Sequence, residues 1–267
     1  MTAAEELRPR PVPGAAELRL LALPGIPLVG AGDDLAAMIA DAVERGGERL
    51  RDGDVLVVAQ KVVSKAEGRV ARLADVRPSE RAHAVARATG KDARIVELVL
   101  AESDDVVRAA HDVLVVAHRL GFVMANAGID QSNVGPGDGD AVLLLPRDPD
   151  ASCARLRSAL RTRAGVDVGV IVNDSHGRAW RNGTVGVAIG AAGVPALVDL
   201  RGRADLFQRH LRATEVGLAD EIASAASIVM GQADEGRPVV LVRGVPYERR
   251  DGCARELVRP RERDLFR

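Results

Sequence analysis

The run Asp130-Gln131-Ser132-Asn133 lies within NAGIDQSNVGPGDGD, residues 126–140, and continues into glycines and further aspartates. Such a stretch has almost nothing to bury. It suits either a surface loop or a cradle for a metal ion and a phosphate. A second oxygen-rich stretch, NDSHGRAWRNG, holds Asp174 and Ser175. Each aspartate follows an apolar, strand-like run closely, and each has a hydroxyl nearby in Ser132 or Ser175. Hard divalent cations take oxygen ligands, and Mg²⁺ typically uses one or two carboxylates beside phosphate oxygens and water. Two such acids brought together from separate strand ends would suit a metal–nucleotide site. Each aspartate can equally cap a turn, which Asp favours for its own reasons.

Lys61, Lys65 and Lys91 are the only lysines among 37 basic residues. In QKVVSKAEGR, Lys65 can meet a phosphate as a point charge; Lys61 and Lys65 can equally mark a solvated strand edge. The chain has no G-x-x-x-x-G-K-[ST] run, so this is not a P-loop. Gly25, Gly30 and Gly32 in PGIPLVGAGDD would let backbone approach a ligand, but their spacing is not the dinucleotide fingerprint. Arg178 and Arg181 flank the only tryptophan, Trp180. They can clamp an acidic substrate bidentately, or pair with acids while Trp180 plugs the core. His176 can move protons, although it reads more simply as a surface histidine. No Ser-His-Asp ordering or Cys-His pairing supports covalent hydrolysis.

These groups need strands and helices to position them. A strand over 18–23 leads through a Pro/Gly loop to Asp33 and Asp34, either able to cap a helix carrying Leu35, Met38, Ile39, Ala42 and Val43 on one face. Continuous apolar runs at 55–59, 168–172 and 239–242 read as buried strands. The stretches 113–116, 121–124 and 142–145 read as further strands, and Ile95–Leu100 is another apolar segment. Helices are expected from Pro78-Ser79-Glu80 to about Ala88, from a Pro149-Asp150 cap to Gly165, and from Thr214 or Glu215 to about Met230. Polar loops are expected at 24–34, 60–69, 130–140 and 173–183, with another at 230–236. A glycine-spaced strand or turn follows residue 183. The fold class is α+β (mixed α/β): two interlocked lobes around mixed sheets, neither P-loop nor Rossmann. Residues 1–17 read as a flexible tail, 18–246 as one domain, and 247–267 as a charged tail.

Composition narrows the function. A net charge of −1 and 2% aromatic residues argue against nucleic-acid binding. No apolar run reaches the length of a membrane span or a signal peptide. Cys153 and Cys253 lie in no metal-ligand spacing. A cytoplasmic location is expected.

Taken in order, LPGIPLVGAGDDL, DGDVLVVAQKVVSKAEGR, HRLGFVMANAGIDQSNV, NDSHGRAWRNGTVGVAIGAAG and TEVGLADEIASAASIVMGQADEGRPVVLVRG resemble the coenzyme F420-0:L-glutamate ligase family of γ-glutamyl ligases. The resemblance covers about Leu18 to Gly244. It implies joining of L-glutamate to a carboxylate of the deazaflavin cofactor F420-0, with GTP as co-substrate, Mg²⁺ or Mn²⁺, K⁺ as a further candidate ion, and a homodimer. It places Ile26, Pro27, Leu28 and Val29 along the guanine nucleotide, Lys65 on its phosphates, and Gln60 (often serine in relatives) in the same site. It gives Asp130 and Asp174 one metal ion. Ser175 (often threonine in relatives) and Gln232 would help hold a second. Asn133 would bind the nucleotide, with Met230, Gly231, Gln232, Ala233, Asp234, Glu235 and Gly236 closing over it. Asp130, Asp174 and Lys65 would be the catalytic set; Arg178 and Arg181 are assigned to acidic substrate from their chemistry alone. Some relatives add a nitroreductase-like domain, and with Arg267 as the last residue a stand-alone ligase is expected. The rival readings are a non-catalytic nucleotide-binding regulatory module, a dimeric scaffold, and an ATP-dependent amide ligase for another phosphorylated acid.

Overall fold

Val55, Leu56, Val57 and Val58 are consecutive aliphatic residues, and all four are fully buried, as a strand covered on both faces requires. The computed structural model, which describes residues 16–135 and 139–264, builds its main sheet around them. In chain order the elements are β1 (Arg19–Ala22), α1 (Leu35–Arg45), β2 (Val55–Ala59), α2 (Gln60–Ala66), β3 (Val70–Arg72), α3 (Glu80–Thr89), α4 (Ala93–Ala101), β4 (Ser103–Ala110), β5 (Val113–His118), β6 (Val123–Ala125), β7 (Ala141–Leu143), α5 (Pro149–Ala164), β8 (Gly169–Arg178), β9 (Arg181–Ala192), β10 (Val198–Asp199), β11 (Glu215–Val216), α6 (Leu218–Met230) and β12 (Val239–Arg243).

The main sheet runs β1-β12-β2-β8-β9. Only β2 and β8 are parallel; the other neighbours are antiparallel. α1 and α5 contribute Ile39, Val43, Leu156 and Leu160 to the core on one face, and α6 contributes Ala219, Ile222, Ala223 and Ala226 on the other. A second core gathers Ala82, Ala86, Val96 and Val99 of α3 and α4 against Leu114 and Val116 of β5. The chain leaves the main sheet after α2, builds this second lobe with the β4-β5-β6 sheet, and returns at α5. The antiparallel pair β3–β7 joins the two bodies. The α+β class expected from the sequence therefore holds, with one parallel pair where a Rossmann fold would need many.

The glycine-spaced segment after residue 183 is a long strand. Between Val172–Gly190 and Asn173–Ala188 the β8–β9 register slips by one residue. A one-residue slip turns later side chains to the opposite face. Gly186 consequently meets α6, where a methyl group would collide with Ser227 and the Ala223 carbonyl, and Gly190 meets Pro149 at the start of α5.

Several expectations need correction. Residues 60–69 are not a loop: α2 starts directly at the end of β2 and its N-cap, Ala59, makes no side-chain capping bond. Residues 173–183 are a hairpin, β8 and β9 continuing beyond the covered part of the sheet. The last long helix starts at Leu218, because Glu215–Val216 pair with Val198–Asp199. The cap of α5 is Asp148, which accepts from Ala151 N–H, with Pro149 inside the first turn. Ser103–Ala110, absent from the sequence-based elements, is strand β4. The charged segment after Tyr247 carried no structural expectation; within it Ala254 is fully buried and Arg157 pairs with Asp251. The expected flexible tail lies outside the described residues apart from 16 and 17, as do 136–138 of the expected 130–140 loop.

Candidate active site

β8 outlasts its parallel partner: Ala59 of β2 pairs with Asn173, and Asp174 is the next residue on β8. Ligands in open α/β sheets characteristically lie beyond the carboxyl ends of parallel strands. Here that place is a cavity of about 1010 Å³. It is lined by Ile26–Val29, Gln60, Lys61, Lys65, Asp130, Asn133, Asp174, Ser175 and the whole of Met230–Gly236.

Asp130 reaches the cavity from the second lobe. Its backbone exchanges two hydrogen bonds with Leu143 of β7, at 2.9 and 2.8 Å. The turn before it is strained: Asn126 and Ala127 have φ of 51° and 52°, followed by Gly128 at 67°. Left-handed backbone costs a non-glycine residue about 1–2 kcal/mol. The side chain of Asp130 accepts from Gln60 Nε2 at 2.6 Å, and Lys61 Nζ stands 3.6 Å from its other oxygen. Ser64 in turn donates to Gln60 Oε1 at 2.9 Å and fixes that amide. Burial holds the Asp130 carboxyl well above the ordinary carboxylate range, at about 6; Lys61 opposes the rise and the neighbouring Asp174 charge adds to it.

Helix α2 supplies the positive side. Lys61 and Lys65, one turn apart, share a face. Lys61 also donates to Ser132 Oγ at 2.9 Å. Lys65 has no ion-pair partner among the described residues, and burial, with the nearby Lys61 charge, depresses its pKa. Two tethers draw the remaining segments over the cavity. Ser175 donates to Gln232 Oε1 at 2.6 Å, and Asn133 Nδ2 donates to the Ala233 carbonyl at 3.2 Å. Glu235 accepts from Ala233 N–H and shapes the 230–236 loop.

A sequence model of the F420-0:gamma-glutamyl ligase family matches residues 25–244, most of the chain. The chain belongs to this family. A coenzyme F420:L-glutamate ligase of Methanothermobacter thermautotrophicus is 48% identical over 94% of this chain and 99% of its own length. Proteins with the same name from Methanopyrus kandleri and Archaeoglobus fulgidus are 49% and 46% identical, covering 95% and 91% of this chain and 99% and 94% of their own.

Every nucleotide and metal position assigned by resemblance, from Ile26 to Gly236, borders the one cavity. Arg178 and Arg181 do not. They sit on the exposed tip of the β8–β9 hairpin, where Arg178 donates to the Asn182 carbonyl and Trp180 is 82% exposed. Trp180 therefore does not fill the core. His176 is not the surface residue its polar context suggested. Its side chain is 11% exposed, its Nε2 lies 3.1 Å from Asp174 Oδ2, and Phe122 packs edge-on against its ring. Lys61, read as a solvated strand edge, lies beside Asp130 on a helix; its i,i+4 spacing from Lys65 was the available clue.

The donor set fits a hard divalent ion. The Asp130 and Asp174 carboxylates, the Ser175 hydroxyl and the Gln232 amide oxygen all border the cavity, and Asn173 Oδ1 at its wall is buried without a hydrogen-bond partner among the described residues. Among the described residues no three carboxylate, imidazole or thiol groups gather. A bound ion would therefore draw further ligands from phosphate and water, as Mg²⁺ usually does.

Proposed function

We propose that this chain is a GTP-dependent ligase that joins the α-amine of L-glutamate to the carboxylate of coenzyme F420-0. The observation that carries this is the convergence of Asp130 and Asp174, from separate lobes, on one cavity facing Lys61 and Lys65, in a chain of the F420-0:gamma-glutamyl ligase family.

A carboxylate is a poor acyl donor because oxide would have to leave. In the proposed route a carboxylate oxygen of F420-0 attacks the γ-phosphorus of GTP. The bond from that phosphorus to the β-phosphate bridging oxygen breaks, and GDP departs. The glutamate nitrogen then attacks the acyl carbon, the C–O bond to phosphate breaks, inorganic phosphate leaves, and the amine proton passes to water. Such chemistry depends mainly on positioning and on neutralising phosphate charge. Lys65, without an ion-pair partner among the described residues, supplies an ammonium for phosphate oxygens, and the Ile26–Val29 segment with the 230–236 loop borders the nucleotide. Gln60 and Lys61 orient the Asp130 carboxylate. Asp130 and Asp174 would hold one divalent ion, and Ser175 and Gln232 would help hold a second; Mg²⁺ or Mn²⁺ there would supply positive charge against the phosphates.

The deciding assay combines protein, GTP, Mn²⁺, L-glutamate and F420-0, with mass spectrometry reading added glutamyl units. GTP hydrolysis without a mass increase on F420-0 refutes the reading, and K⁺ is tested as a supplement. ATP replacing GTP without loss would favour a different nucleotide. Hydroxylamine added during turnover should trap a hydroxamate of F420-0; its absence counts against the acyl phosphate. The proposed enzyme is a cytoplasmic homodimer, and light scattering tests the dimer. Among the described residues no helix is long and apolar enough to cross a membrane.

A further inference from the structure

A second cavity, of about 720 Å³, lies on the other side of the Asp130 segment. Ser132 lines both cavities. The second has an apolar floor, with Leu73, Ile95 and Ile129 among its residues, and a polar rim that includes Lys91, Asn126 and Gln131. Its volume is in the range of about 300–1,000 Å³ usual for ligands of drug size, which is far more than an amino acid needs.

Three independent features mark it. The first is charge. Arg94 on its rim is satisfied by Asp92 and Asp140, at 2.7 and 3.2 Å, but Lys91 has no ion pair among the described residues. The second is composition. The chain has three lysines among 37 basic residues, and all three border these adjoining cavities. An ammonium differs from a guanidinium as a compact, mobile point charge. The third is backbone strain. The left-handed turn at Asn126, Ala127 and Gly128 puts Asn126 on the wall of one cavity and leads directly to Asp130 in the other. Strain of this kind collects where geometry serves a ligand.

We propose that the second cavity binds the acid that is to be activated, a phosphorylated deazaflavin with a terminal carboxylate; this rests on the function proposed above. The planar ring lies on the apolar floor and Lys91 pairs with the phosphate. The carboxylate end passes Ser132 toward the nucleotide cavity. Large substrate and nucleotide thus approach from opposite sides of the Asp130 segment, which places the attacking oxygen and the γ-phosphate at their shared edge.

The test is steady-state kinetics of wild type, Lys91→Glu and Lys91→Arg with F420-0 and GTP varied separately. Lys91→Glu should raise the KM for F420-0 by about tenfold or more while the KM for GTP stays within about twofold, and Lys91→Arg should recover most of the loss. If wild type ligates but Lys91→Glu leaves the KM for F420-0 within about twofold, the proposal is overturned and the ligase function stands. A KM for GTP rising in step with that for F420-0 likewise overturns it. A wild type that adds no glutamate removes the functional reading and this one together.

Discussion

Replacing Asp130 by Asn should make the metal-free protein more stable and the enzyme inactive. Burial moves this carboxyl from 3.8 to about 6 in the fold, and each tenfold change in an acid equilibrium is worth about 1.4 kcal/mol. Keeping Asp130 ionised at pH 8 therefore costs the folded state about 3 kcal/mol. The sign follows from linkage: a raised carboxyl pKa is a penalty complete above about 6 and absent below the unfolded value of 3.8. Asparagine removes the charge and can still accept the Gln60 hydrogen bond. Part of the gain is lost because Lys61, 3.6 Å away, keeps its charge without its carboxylate partner. A net gain of about 1–3 kcal/mol remains, which for a chain of this size raises Tm by roughly 2–10 °C. Thermal denaturation with chelator at pH 8 measures it. At pH 4 the gain should fall below about 1 kcal/mol. Adding GTP and Mn²⁺ should stabilise wild type more than the variant. A variant less stable than wild type at pH 8, or one whose gain is as large at pH 4, would refute the argument that buried charge is held here against the fold.

Asp174→Asn should lower turnover by on the order of a hundredfold or more while GTP affinity, followed by calorimetry, changes far less; equal losses would favour a binding module over an enzyme. Lys65→Ala should weaken GTP binding by about tenfold or more, the value of a lost charge-assisted contact, and an unchanged affinity would remove Lys65 from the nucleotide site. Gly186→Ala should destabilise the fold by about 1–3 kcal/mol in urea titrations, because its methyl would collide with Ser227 and the Ala223 carbonyl on α6.

The parts of the fold legible in the sequence are those where one physical signal dominates. β2 and β12 are continuous aliphatic runs, fully buried but for Ala59 and Arg243 at their ends. α1 carries a clean apolar face behind an Asp34 cap. What escaped had no such signal. α2 has only seven residues and no capping side chain, so its polar sequence read as loop. The β8–β9 hairpin is polar because it projects beyond the helices that cover the sheet, and exposed strands need no apolar alternation. β4, largely exposed, was missed for the same reason. For the site, residue chemistry picked out Asp130, Asp174 and Lys65, and resemblance supplied the rest. Spacing could not show that Asp130 and Asp174 converge, since that depends on how the second lobe docks. His176 was undervalued because its shelter is tertiary: Phe122, a residue distant in sequence, covers it.

Because the strand-end carboxylate at 174 belongs to the main sheet and the one at 130 to the intervening lobe, neither body alone would own the proposed cation site. Cutting the chain between them would leave each piece with a single acidic half-grip, useless until the pieces reassociate. Recovery of tight Mn²⁺ binding in a split protein would therefore measure how faithfully the lobes re-dock, and a substitution at the β3–β7 joint could abolish ligation without altering any residue that meets a substrate.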